Sequence, residues 1–221
     1  MQTLFNWAVS EGLVTENPVL RIKPPKEPKR VIKALTNEEI SRILAVLGRN
    51  FEGIRNKALI LLLLDTGLRL GEVTGITMDS IDFDQQVITV LGKGAKERRV
   101  RFGSRTAKAL WHYLALRNRI SSESKALWLT RQGEALTANA IALVLKRIGQ
   151  KTGIKVHAHK LRHTFAIMML RNGTSPFEVQ YLLGHSTLEM TRRYCQSLGF
   201  DDAYKSHKKA SPVDNLGMRR V

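Results

Sequence analysis

Apolar residues recur every three or four positions through most of this chain and alternate with polar ones in a single stretch. That pattern predicts a mainly helical protein carrying one small sheet. Residues 3–10, TLFNWAVS, put Leu4, Trp7 and Ala8 on one side of a short helix. EGLVTENPV then turns the chain, and KPPKEPKR (23–30) is basic, stiff and proline-rich, the composition of a linker. Thr36 and Glu39 form a capping box ahead of Ile40, Ile43, Leu44 and Leu47. NKALILLLLDTGL is apolar nearly all round, so it predicts a central buried helix ending near Gly67. SIDFDQQVITVLGKGAKERRVRF alternates, is rich in Val and Ile and breaks at Gly92–Ala95, which predicts two or three antiparallel strands. Ser104 starts another helix with Ala107, Leu110, Trp111 and Leu114 inward, and Thr137 starts one more that runs toward Gly153.

The last third continues in helices. AHKLRHTFA opens a helix that stops at RNG, with Gly173 as its C-terminal cap. SPFE is a capping box with Pro176 at the first helical position, and that helix stops at Gly184. Ser186 and Glu189 form a further box, starting a helix that carries Arg192, Arg193 and Tyr194. From Phe200 onward the chain is polar and basic, a mobile tail unless a partner orders it. No internal repeat is visible.

Length allows one good-sized domain with appendages, and 43% hydrophobic residues argue for a packed globule. Charge changes the picture more: 36 Lys and Arg against 19 Asp and Glu give +17, which draws the protein toward polyanions, nucleic acid first. A ribosomal or merely solubilising surface is the alternative. One cysteine, Cys195, excludes an internal disulfide framework and a thiolate zinc cluster. No apolar run is long enough to predict a membrane span and no signal peptide is apparent, so a cytoplasmic, nucleoid-associated protein is expected.

The chemistry concentrates in a few segments. In AHKLRHTFA, His159, Arg162 and His163 fall on one helical face, opposite Leu161, Phe165 and Met168. His159 and His163 have the spacing of helical zinc ligands. However, Lys160 stands where a metalloprotease needs Glu, and Arg162 would repel a dication. A solvated face is the blander reading. DTGLRLGEV sets Arg69 just past a turn glycine at the end of the most apolar helix. LGKGAKERR sets Lys93 on a strand turn, and LGHSTLEMTRRY sets His185 just beyond a helix end with Tyr194 nine residues later. Each of these has an ordinary structural reading by itself.

Taken together and in order, TGLRLGE, GKGAKER, HKLRH and LGH followed by Tyr194 resemble the tyrosine recombinases, the phage-integrase family, over residues 31–200. The resemblance implies a mainly α fold with a small antiparallel β-sheet (α+β), the DNA breaking-rejoining catalytic fold. Residues 1–22 would then be the last helix of a core-binding domain, 23–30 the linker, 31–199 the catalytic domain and 200–221 a C-terminal tail. It implies a site-specific recombinase or integrase that cleaves DNA through a 3′-phosphotyrosyl intermediate, with no metal and no cofactor. Tyr194 would be the nucleophile, and Arg69 and Arg162 would fork onto the phosphate. Lys93 would protonate the leaving oxygen, with Lys96 as the fallback. His159 would assist as base or hydrogen-bond donor and His185 would donate to a phosphate oxygen. Glu72 would orient His159 or an arginine, His163 would buttress, and Lys96, Arg98, Arg192 and Arg193 would contact DNA. The partners implied are double-stranded DNA and, on paired sites, a homo-tetramer, with a monomer allowed without DNA and no membrane. A type IB topoisomerase-like enzyme and a non-catalytic DNA-binding remnant are the alternatives.

Overall fold

The structure, a computed structural model, describes residues 1–22, 33–92, 97–185, 187–211 and 213. The expected linker 23–30, Lys93, Lys96 and Ser186 lie outside the described residues. The chain forms two compact units, Met1–Arg30 and Val31–Val221. In the first, α1 (Gln2–Ser10) is followed by a 3₁₀ turn, Pro18–Arg21. Asn17 caps that turn by accepting from Val19 N at 2.9 Å, and its amide donates to Asn6 Oδ1 at 2.6 Å. Leu4 and Trp7 share one side of α1 as expected, and both are exposed.

The second unit opens with α2 (Asn37–Ala45), whose Thr36–Glu39 capping box is formed on both arms. The apolar run becomes α3 (Phe51–Thr66), and Ala58, Leu59, Ile60, Leu62 and Leu63 are all buried. Gly67 ends it in the left-handed conformation, φ 61°. A Cβ there would lie 2.4 Å from Phe165 Cδ1 and 2.7 Å from Leu183 Cδ2, so glycine is required by packing as well as by φ. α4 (Leu70–Thr74) follows at once, a short helix that the apolar pattern does not reveal.

Among the described residues the sheet has three antiparallel strands in the order β1 (Ile81–Asp82), β2 (Val87–Leu91), β3 (Glu97–Arg101). Ile88 pairs with Val100 and Val90 with Arg98. Ile88, Val90 and Val100 are buried, and strand alternation therefore sends Arg98 inward beside them while Arg99 and Arg101 face out.

Next come α5 (Ser104–Arg117), which packs on α3, and α6 (Ala138–Thr152), capped by Thr137 and ended by left-handed Gly153. Trp111 departs from expectation: it is 58% exposed, its ring lying on Phe83 at 4.4 Å between centroids. The inward stripe is Thr106, Ala107, Leu110, Tyr113 and Leu114, so Tyr113 takes the inner place, stacked on buried Trp128 at 5.4 Å.

α7 (Ala158–Arg171) packs on α3, and α8 (Pro176–Leu183) and α9 (Leu188–Cys195) pack on α7 and on each other. Phe165, Ala166, Ile167, Leu170, Val179, Leu183 and Tyr194 make a second apolar cluster beside the main core. α9 is capped at Thr187 without a side-chain bond, one residue later than the expected Ser186 box. Residues 200–210, expected to be mobile, form α10 (Phe200–Ala210). Asp202 accepts from Gly199 N at 3.0 Å and pairs with Arg171 at 3.6 Å, so acidic residues sit in the first turn, where the helix dipole favours them. No helix among the described residues is long and apolar enough to cross a membrane.

Candidate active site

The C-terminal end of α8 is the hub. Its last carbonyls have no partner within the helix, and they carry the negative end of the helix dipole. Guanidinium groups take them up. Leu182 O accepts from Arg98 Nη1 at 2.9 Å, Leu183 O from Arg162 Nη2 at 2.8 Å, and Gly184 O from Arg69 Nη2 at 3.2 Å. Arg162 also donates through Nη1 to Gly67 O at 2.6 Å, so one buried side chain ties the end of α3 to the end of α8. Desolvation first, and the Arg69 cation second, push the Arg162 pKa down to about 10, which still leaves it protonated at neutral pH.

Glu72 balances part of this charge. Its carboxylate accepts from Arg69 N at 2.7 Å, Arg69 Nη1 at 3.2 Å and Arg98 Nη2 at 2.8 Å. Of the two expected partners, the arginine is the one it contacts. Arg98, expected at the DNA surface, is instead an inward cation, its side chain 16% exposed against Glu72 at 5%. Arg98 Nε is buried without a hydrogen-bond partner among the described residues. The signal was in the sequence: Arg98 stands two residues before Val100, on the buried register of an alternating strand.

That pair can be measured. Arg98→Met is expected to lower unfolding free energy by about 3 kcal/mol, the order found when one partner of a buried ion pair is removed. Arg98→Met with Glu72→Met should lose less than the two single changes added, by about 1 kcal/mol or more. Urea denaturation of the four proteins closes the cycle, and additive losses would remove the pair from the account of stability.

Two histidines, His163 and His185, contact Tyr194, which is itself buried, and a third, His159, stands behind His163. His163 Nδ1 lies 3.0 Å from Tyr194 Oη. His185, just past α8, stacks on the Tyr194 ring with centroids 6.1 Å apart, and its Nδ1 is 2.8 Å from Thr191 Oγ1. Gln180 holds its backbone, donating to His185 O at 3.2 Å and accepting from His185 N at 3.0 Å. His159, one turn before His163, is exposed and lies edge-on to its ring at 4.7 Å. Burial and then neighbouring cations lower both His163 and His185 to about 4, so both are neutral at pH 7. Burial raises the Tyr194 pKa, with Arg162 and Arg69 opposing it.

The structure thus brings Arg69, Glu72, His159, Arg162, His163, His185 and Tyr194 into one site. Arg98 joins them, as do Thr191 and Gln180, which no motif in the sequence marks. Lys93 and Lys96 lie outside the described residues, and Arg192 and Arg193 are exposed on α9. An anion entering this site would meet two or more guanidiniums from different elements, neutral imidazoles, and a phenol held among them.

Residues 33–199 match the family described as "Phage integrase family". Tyrosine recombinase XerC of Actinobacillus pleuropneumoniae serotype 7 (strain AP76) is 35% identical over 210 residues, covering 94% of this chain and 68% of the relative. Tyrosine recombinase XerC of Shewanella sp. (strain ANA-3) is 36% identical over 203 residues, 91% of this chain and 68% of the relative. The crystal structure of XerA recombinase superposes with a TM-score of 0.71 at 29% identity, over 86% of this chain and 67% of that one.

Proposed function

Because the chain belongs to the phage integrase family and is a tyrosine-type site-specific recombinase, we propose that it cuts and rejoins double-stranded DNA with Tyr194 as nucleophile, leaving a 3′-phosphotyrosyl link and a free 5′-hydroxyl. The observation that carries this reading is the joint anchorage of Arg69 and Arg162 at the end of α8, next to His185 and the buried Tyr194 phenol. In-line attack builds negative charge on the nonbridging phosphoryl oxygens. Cations fixed in advance stabilise that charge without reorganising at the moment of reaction. Arg69, its side chain 39% exposed, meets the phosphate from the open side, and buried Arg162, whose Nη1 and Nη2 hold Gly67 O and Leu183 O, adds its charge and its remaining N–H donors.

His185, with Nδ1 on the Thr191 hydroxyl, presents Nε2–H to a phosphate oxygen. His159, exposed on the rim, donates to the same phosphate. Lys93 supplies the proton for the leaving 5′-oxygen, with Lys96 as its alternative. Exposed Arg192 and Arg193 contact flanking phosphates, which makes binding salt-dependent. The phosphotyrosyl link conserves the energy of the broken bond, so a 5′-hydroxyl from a second duplex can exchange strands within four protomers on paired sites. Residues 1–22 belong, on this reading, to the last helix of a core-binding domain that helps to enclose the DNA.

The test is direct. The full chain is incubated with duplex DNA carrying its own flanking chromosomal junction, nicked near the centre so that cleavage is trapped, in excess chelator. A band that survives denaturing electrophoresis is expected, with the nucleotide mapped by mass spectrometry to Tyr194. An adduct on another residue would reject the assignment. Tight binding to that DNA with no adduct would favour a DNA-binding remnant.

A further inference from the structure

Before Tyr194 Oη can bond to phosphorus it must lose its proton, and burial makes that loss harder. Something beside it has to take the proton. His185 has its Nδ1 engaged by Thr191 at 2.8 Å and meets Tyr194 ring to ring. His159 meets His163 rather than the phenol, with 4.7 Å between ring centroids. Among the described residues, His163 has the imidazole nitrogen within hydrogen-bond distance of the nucleophile, Nδ1 at 3.0 Å from Oη.

We propose that His163 is a catalytic residue of this recombinase: its Nδ1 accepts the Tyr194 proton during strand cleavage and returns it during rejoining. The inference rests on the reading of Tyr194 as nucleophile. In cleavage the Oη–H bond breaks, the Oη–P bond forms and the P–O5′ bond breaks. The phenolic proton ends on His163, and the departing 5′-oxygen takes a separate proton from the general acid assigned to Lys93. Rejoining runs the same steps backward, with His163 protonating Tyr194 as it leaves phosphorus.

The direction of the hydrogen bond follows from chemistry. A buried phenol is protonated at neutral pH, so it donates. A neutral imidazole that accepts on Nδ1 carries its own hydrogen on Nε2. The titratable and charged groups around His163 are His157 at the N-cap of α7, His159, Lys160 and Arg162 on α7, and Tyr194 from α9. Together with burial, the cations among them keep it neutral in the DNA-free protein. A DNA phosphate entering between Arg69 and Arg162 offsets that positive field, and the transition state adds negative charge beside it. The proton affinity of His163 therefore rises as the reaction needs it. The i,i+4 spacing of His159 and His163 divides the work on α7: the outer ring serves the phosphate and the inner ring serves the nucleophile.

Two measurements decide this. In the full chain labelled with ¹⁵N-histidine, long-range ¹H–¹⁵N correlation at neutral pH is expected to find His163 with Nε2 protonated and Nδ1 bare, and Tyr194→Phe should move the Nδ1 resonance. A proton on Nδ1 would overturn the proposal whether or not the protein cleaves DNA. Single-turnover cleavage of nicked DNA is then followed from pH 6 to 10 for wild type and His163→Gln, a side chain that hydrogen-bonds but cannot take a proton. His163→Gln is expected to be slower by about 10²–10³-fold at pH 7, the usual scale for general-base loss. The deficit should narrow toward pH 10, as the phenol ionises unaided, with DNA affinity unchanged. A deficit that is absent, or that stays flat across the range, would also overturn it. If Tyr194→Phe forms adduct as wild type does, the nucleophile assignment falls instead, and the tautomer result still reports on the contact.

Discussion

Tyr194→Phe is expected to reduce covalent adduct formation to background while DNA affinity changes by no more than about twofold, since the lost hydroxyl lies in the site rather than on the basic surface. One oxygen is removed. The ring stays in the cluster with Phe165, Leu183 and Val179, so the apolar packing of α9 is retained. No neighbour on α9 substitutes for it. Thr191 is buried, with its hydroxyl at His185, and the Cys195 thiol is turned back on Thr191 O at 3.9 Å. The stability cost is expected to be about 1 kcal/mol, the net worth of one hydrogen bond, because His163 Nδ1 loses its partner. Denaturing electrophoresis beside urea unfolding separates the two effects. An adduct in the variant would remove Tyr194 from the mechanism, and a collapse of stability would mean that the phenol matters chiefly to folding.

Arg162→Lys is expected to slow single-turnover cleavage by about 10²–10³-fold, the scale for losing one preorganised donor to a developing oxyanion. Charge is kept in this variant, so the prediction isolates geometry. Arg162 uses Nη1 on Gly67 O and Nη2 on Leu183 O, two acceptors on different helices, and still acts on the Tyr194 phenol. An ammonium is a compact point donor on a flexible stem and cannot hold that fork. Desolvation, which already lowers Arg162 to about 10, acts on a lysine that starts from a lower intrinsic value. Stability should fall as well, because Gly67 O or Leu183 O is left without its partner. Arg69→Lys makes the comparison: its side chain is 39% exposed, so a similar rate loss with a smaller stability loss is expected. Rates unchanged in Arg162→Lys would reduce Arg162 to a structural tie.

Much of the fold was legible locally. The caps at Thr36, Thr137 and Ser175, the left-handed glycines at 67, 153 and 184, and the alternating stretch around β2 and β3 each fixed an element by short-range chemistry. The errors were local too. Trp111 sits one step around the helix from the stripe that Tyr113 fills, and Asp201 and Asp202 look only polar in sequence, yet they occupy the first turn of α10.

The sequence by itself determined which chemical groups the site would contain, because three short motifs carry Arg69, His159, Arg162, His185 and Tyr194 whatever the packing. Only the tertiary structure decided what each group touches. Arg98 reaches Leu182 across 84 positions, Arg69 reaches Gly184 across 115, and His163 reaches Tyr194 across 31. Periodicity assigns a residue to a face, but it carries no information about which distant face is opposite. Those partners are set where α7, α8 and α9 close on one another, by the burial of the cluster around Phe165 and Leu183 and by helix-end carbonyls that must find donors.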